Sequence, residues 1–209
     1  MKSFILATLI ISVLSALPVA AADTPAGFEQ VQEATAQPVQ GRIQVIDFFW
    51  YGCPYCNLFE PQLESWLASK PEAVDFIRIP AVIRPSWSNL ARAFYTAEAL
   101  GILEPLHARI FAAIHKERKD LDDINALAAI FAEQGIERTR FEKAFYSDEV
   151  SRKVEEAAVL TRRYGIDSVP AIVVNGEYRT NPLLAGGASR ILSAVNELIA
   201  SEQRQAELP

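Results

Sequence analysis

The feature that most restricts this chain is the placement of its two cysteines, Cys53 and Cys56, at a strand-to-helix junction. Upstream, Ile43-Gln44-Val45-Ile46-Asp47-Phe48-Phe49-Trp50 is β-branched, aromatic and almost continuously apolar. That predicts a central strand covered on both faces. Downstream, Cys56, Phe59, Leu63, Trp66 and Leu67 recur at spacings of three and four, the mark of one buried helix face. Cys53 therefore opens the helix and Cys56 faces inward. Pro54 is tolerated in the first turn, where the missing N–H has no helical partner. Pro61 falls well inside the helix and predicts a kink.

A disulfide across so short a loop removes little entropy from the unfolded chain, and a chain of this length builds a core without one. A zinc half-site needs two further ligands. No other cysteine is present, and His107 and His115 lie in different surroundings at the wrong spacing. Redox chemistry explains the pair better. A thiolate is the attacking species, and the unpaired N–H groups and dipole of a helix N-terminus stabilise an anion. Cys53 is then the nucleophile and Cys56 the resolving thiol.

Asp47 lies six residues before Cys53 in the apolar strand. Two readings are open. Buried, its pKa is raised and it can exchange protons with Cys56. At a strand edge, it simply faces solvent. Val169-Pro170 immediately precedes the apolar run Ala171–Val174. A proline there can be cis, and the sequence leaves the isomer open.

The remaining pattern is α/β with an all-helical interruption. A short strand is expected around Phe28–Val31 and another at Val74–Ile79. Helices are expected over Ser86–Leu100, Pro105–His115, Asp123–Gln134, a short segment carrying Phe141 and Phe145, and Asp148–Tyr164. The chain then returns to strand at Ala171–Val174, turns at Asn175-Gly176, pairs through Glu177–Arg179 and ends in a helix over Ala188–Ser201. The expected division is residues 23–85 with 165–209 as one α/β domain, and 86–164 as an inserted helical domain.

Lys2, the apolar run Phe4–Leu14, the break at Leu17-Pro18 and the small residues Val19–Ala22 have the layout of a secretory signal peptide over residues 1–22, cut after Ala21 or Ala22. The apolar run is too short to span a bilayer. Export places the cysteines where disulfides persist. With 20 basic and 26 acidic residues and no long basic run, a general nucleic-acid binder is disfavoured.

The run Phe48-Phe49-Trp50-Tyr51-Gly52-Cys53-Pro54-Tyr55-Cys56, followed by Phe59-Glu60, resembles the active site of the DsbA family of periplasmic disulfide oxidases, in the thioredoxin superfamily. Gly165-Ile166-Asp167-Ser168-Val169-Pro170 resembles that family's cis-proline loop. The resemblance covers essentially the whole mature chain. It implies a thioredoxin-like fold with an all-helical domain inserted after its βαβ half. It implies a cis Pro170 against the cysteine pair, with the Val169 backbone free to pair with an extended substrate. Asp47 takes the place of the family's buried acid. Glu60, with Pro54 and Tyr55, tunes the thiols, and Trp50, Tyr55 and Val169 are expected to form an apolar surface for unfolded substrates. The implied protein is a periplasmic monomer that needs no cofactor or metal beyond its own disulfide. It oxidises exported polypeptides and is reoxidised by a DsbB-like quinone-linked membrane protein.

One departure stands out: Tyr55 occupies the position where the best-known members carry histidine, and Cys-Pro-Tyr-Cys is also the typical glutaredoxin motif. The competing functions are therefore a reductase or isomerase on the same fold, or a chaperone that uses the surface without the thiols.

Overall fold

The computed structural model describes residues 24–32 and 42–206. The expected signal peptide and its cleavage point lie outside the described residues. Five strands form one mixed sheet: β1 (Glu29–Gln30), β2 (Ile43–Phe49), β3 (Val74–Pro80), β4 (Ala171–Val174) and β5 (Tyr178–Thr180). Their order is β1-β5-β4-β2-β3. β2 pairs parallel with β3 and antiparallel with β4, so it is central, as its apolar run requires.

Side chains alternate faces along a strand. On β2, Ile46 and Phe48 point into the cluster that holds Ile79, Tyr164 and Val173. Val45, Asp47 and Phe49 share the other face. Val45 packs there with Phe59, Leu63 and Trp66 of α1 (Pro54–Leu67) and with Ile191, Val195 and Leu198 of α7 (Ile191–Ala206). Burying each such side chain contributes about 2 kcal/mol. Asp47 is thus inward-facing on the α1 side and only 1% exposed, which decides between the two readings of that residue.

Between β3 and β4 the regular structure is helical: α2 (Ser88–Ala99), α3 (Leu103–His115), α4 (Ile124–Ala132), α5 (Arg138–Phe145) and α6 (Asp148–Arg163). α6 shows why these segments form helices. The Ser147 hydroxyl caps it by accepting from the Val150 N–H, Asp148 and Glu149 lie in its first turn, and Arg162 and Arg163 in its last. Gly165, at φ +61°, follows its end in the left-handed region. The apolar core of these helices, with Leu106, Phe111, Phe131 and Phe141, runs without a break into Phe49, Tyr51, Cys53 and Cys56.

Boundaries shift by small amounts. Ser86 belongs to a 3-10 turn, Pro85–Trp87, ahead of α2, and a second such turn, Ala188–Arg190, precedes α7. The hairpin departs from expectation by one residue. Val174 pairs with Tyr178, so Glu177 lies in the turn and β5 extends to Thr180. Asn175 and Gly176 both take positive φ there. The buried Asn175 side chain accepts from the Gln44 N–H and donates to Glu202, tying the turn to β2 and α7. α1 runs through Pro61, which lies on its exposed side.

Candidate active site

Cys53 is the N-cap of α1, and Pro54 is its first residue. The Cys53 sulfur accepts from the Cys56 N–H at 3.4 Å. As a thiol it also donates to the Val169 carbonyl, again at 3.4 Å. The Val169-Pro170 bond is cis, as the resemblance implied, and Pro170 is buried. The loop before β4 and the start of α1 therefore meet at the reactive sulfur, although they are separated by more than a hundred residues.

The two thiols differ sharply. A hydrogen bond from the Cys56 thiol, helped by the Cys56 and Tyr55 backbone N–H groups and opposed by burial, lowers the Cys53 pKa to about 6. Burial, followed by the hydrogen bond and charge of Cys53 and the charge of Asp47, pushes the Cys56 thiol far above the ordinary range. At neutral pH one sulfur is a thiolate at the surface end of the pair, and the other is a thiol 2% exposed behind it. Hydrogen bonds at Cys53 and burial at Cys56, rather than a neighbouring cation, produce this asymmetry. Tyr55, where a histidine would place charge, is 65% exposed and contributes through its backbone N–H.

Beneath the cysteines lies a buried polar group. Burial first, and the negative Glu60 second, raise the Asp47 pKa to about 8, against the opposing pull of Arg78. Asp47 stands opposite Arg78 in the parallel β2–β3 register. Arg78 bridges Glu60 and Glu64 on α1. Burial pushes the Glu60 carboxyl up, but His107 and Arg78 outweigh it and hold Glu60 below its ordinary value. His107 Nδ1 lies 2.8 Å from the Tyr51 hydroxyl, and Nε2 lies 3.2 Å from Glu60 Oε1. His115 Nε2 is 2.7 Å from the Tyr51 carbonyl.

Sequence reasoning brought Cys53, Cys56, Asp47, Pro170 and Glu60 to this place but missed Tyr51, Arg78, His107 and His115. A signal existed for the histidines. His107 sits three and four residues before Ile110 and Phe111 on the buried stripe of α3, and His115 follows Phe111 by four. A polar residue on an apolar stripe needs a partner. Both histidines instead hold Tyr51, two residues before Cys53. Among the described residues no group of three or more His, Cys, Asp or Glu side chains is placed to hold a metal ion.

Trp50 is half-buried, and its indole stacks on Trp87 with centroids 4.2 Å apart and planes 1° from parallel. A Cβ on Gly52 would collide with the Trp50 ring, so only glycine fits between Tyr51 and Cys53 without movement there. The exposed apolar surface of the active-site helix is carried by Tyr55 and by Leu58, one turn further on and 66% exposed, while Val169, at the Cys53 sulfur, is half-buried.

A family model described as DSBA-like thioredoxin domain matches residues 44–198. The chain belongs to the DsbA family. It is 37% identical over 190 residues to the thiol:disulfide interchange protein DsbA of Pseudomonas syringae, covering 90% of this chain and 89% of that one. To the DsbA of Azotobacter vinelandii it is 39% identical over 184 residues, covering 87% and 86%. The crystal structure of Pseudomonas aeruginosa DsbA superposes with a TM-score of 0.81 at 32% identity, over 88% of this chain and 95% of that one. This DsbA-family chain is a thiol:disulfide oxidoreductase with a thioredoxin-like fold, interrupted between β3 and β4 by the helices of the family.

Proposed function

We propose that the protein is a periplasmic dithiol oxidase that donates its Cys53–Cys56 disulfide to exported polypeptides. The observation that carries this reading is the asymmetry of the thiols. A Cys53 pKa of about 6 leaves the thiolate in excess at neutral pH, which stabilises the reduced pair and makes the disulfide a willing acceptor of electrons. The substrate thiolate attacks Cys53, Cys56 leaves and takes a proton, and a second substrate thiolate attacks the substrate sulfur of the mixed disulfide. The substrate disulfide forms, and Cys53 is released as the thiolate.

Asp47 is the proton carrier for Cys56 in this reading. Its pKa of about 8 lets it give or take a proton near neutrality, and its charge and that of Cys56 are coupled. Pro54, Tyr55 and Glu60 tune the pair. The Val169 backbone beside Pro170 pairs with an extended substrate, with the apolar surface of Tyr55 and Leu58 and the edge of Trp50 next to it. The leader sequence supports export. No helix among the described residues is long and apolar enough to cross a membrane. A DsbB-like quinone-linked membrane protein would restore the disulfide, and the enzyme would act as a monomer.

The test mixes oxidised protein with one equivalent of a reduced, unfolded polypeptide carrying two cysteines. The expected result is rapid transfer of the disulfide, with both Cys53 and Cys56 recovered as thiols. A protein that leaves the polypeptide reduced, but as the dithiol readily reduces disulfides, is a reductase.

A further inference from the structure

His107 is buried and reaches both the Tyr51 hydroxyl and the Glu60 carboxylate. Its ring lies among Phe49, Phe94 and Phe111, with each of these rings edge-on to it. Its two nitrogens face Tyr51 on one side and Glu60 on the other. With the Tyr51 hydroxyl donating to Nδ1, it is Nε2 that presents a proton toward Glu60. That contact has the distance of an ion pair but lies off the line of a good hydrogen bond.

We propose that His107 is a positioning residue for proton transfer at Cys56: fixed by Tyr51, it keeps Glu60 in place as a negative charge beside the buried Asp47. The inference rests on the reading of Asp47 as the proton carrier. The charged and titratable groups around Glu60 come from each element packed on it: Asp47 from β2, Tyr51 from the turn after β2, Arg78 from β3, Glu64 from α1 and His107 from α3. A charged Glu60 discourages ionisation of Asp47, and Arg78 favours it. A Glu60 no longer fixed by His107 carries its charge away from Asp47, which weakens the first effect and leaves the second less opposed. Asp47 would then ionise more readily and bind the proton too weakly to return it to Cys56 at neutral pH.

The step concerned is measured with glutathione held on Cys53 as the mixed disulfide. Asp47 carboxylate takes the Cys56 proton and becomes the acid. The Cys56 sulfur attacks the Cys53 sulfur, the Cys53–glutathione bond breaks, and glutathione leaves as a thiolate with the electron pair. Cys53 and Cys56 end oxidised and glutathione reduced.

Two readouts are taken on wild type, His107→Phe and His107→Gln: the titration of the Glu60 carboxyl by carbon NMR, and the pH profile of glutathione release. In His107→Phe, Glu60 is expected to titrate at least about one pH unit higher, and the midpoint of the release profile to fall by about one unit, a tenfold change in proton affinity. His107→Gln retains a donor for Glu60 and is expected to shift each by less than half as much. Unchanged Glu60 titration in both variants overturns the proposal and leaves His107 as packing. Should His107→Phe not fold, Tyr51→Phe carries the test, because it keeps the ring and loses only the hydroxyl. A higher Glu60 titration is expected there, and an unchanged one overturns the proposal. If Asp47→Asn leaves the release profile as in wild type, the reading of Asp47 fails instead, and the Glu60 titration still decides the role of His107.

Discussion

Replacement of Cys53 by serine is expected to lower disulfide transfer by at least about 10³-fold, because the Cys53–Cys56 disulfide can no longer form and the remaining thiol, Cys56, is buried and held protonated. The matching change Cys56→Ser is expected to stop turnover differently. Cys53 still attacks a substrate disulfide, but nothing resolves the adduct, so mixed disulfides accumulate and can be trapped by acid quench. Alkylation of the reduced wild-type protein separates the thiols directly. One label is expected, on Cys53, with a rate that titrates at about pH 6. Cys56 is buried, and its thiol is held far above the ordinary range. Equal labelling of both cysteines would remove the asymmetry on which the mechanism depends.

Asp47→Asn is expected to stabilise the reduced protein by about 2–4 kcal/mol at pH 7, raising Tm by roughly 5–10 °C. The reason is linkage. The carboxyl titrates at about 8 in the folded protein, against about 3.9 in the unfolded chain. Below pH 4 both states hold the proton, and the residue adds no pH dependence. Above pH 4 the unfolded chain releases its proton and the folded chain does not, so stability falls by about 1.4 kcal/mol per unit until the folded carboxyl ionises near pH 8. The amide cannot ionise and escapes this loss, less the cost of burying its own polar atoms. The advantage of the variant should therefore shrink as the pH is lowered toward 4, which thermal melts at pH 4 and pH 7 will show. An advantage of equal size at both pH values would mean that Asp47 is not held protonated in the fold. The same substitution should slow transfer, since stability and proton exchange draw on the same buried carboxyl.

Local patterns in the sequence carried the fold a long way. The apolar continuity of Ile43–Trp50 marked the central strand, and the spacing of Cys56, Phe59, Leu63 and Trp66 marked the buried face of α1. Where the sequence fell short, the cause was pairing between distant segments. Whether Asp47 faced solvent depended on strands arriving on both sides of β2, one of them from residues 171–174. Nothing local in the strand Val74–Ile79 singled out Arg78, yet the β2–β3 register sets it opposite Asp47, and it reaches the carboxylates of α1. His107 and His115 were dismissed as metal ligands because their spacing was wrong for a metal. Their spacing is right for two contacts, two turns apart on α3, with the hydroxyl and the carbonyl of Tyr51. The one-residue shift in the hairpin has a similar origin: the Asn175 side chain is held by β2 and α7, which the local Asn-Gly signal does not contain.

The central claim is that this disulfide is an oxidant even with Tyr55 in place of histidine. Equilibration of the Cys53–Cys56 pair across a glutathione redox series tests it most directly, with the fluorescence of Trp50, close to Cys53 in sequence and stacked on Trp87, as the signal. The expected potential is less negative than about −200 mV, on the side of DsbA at about −120 mV. A value at or below about −230 mV, within or beneath the glutaredoxin range, would contradict the oxidase reading and reverse the assigned direction of electron flow.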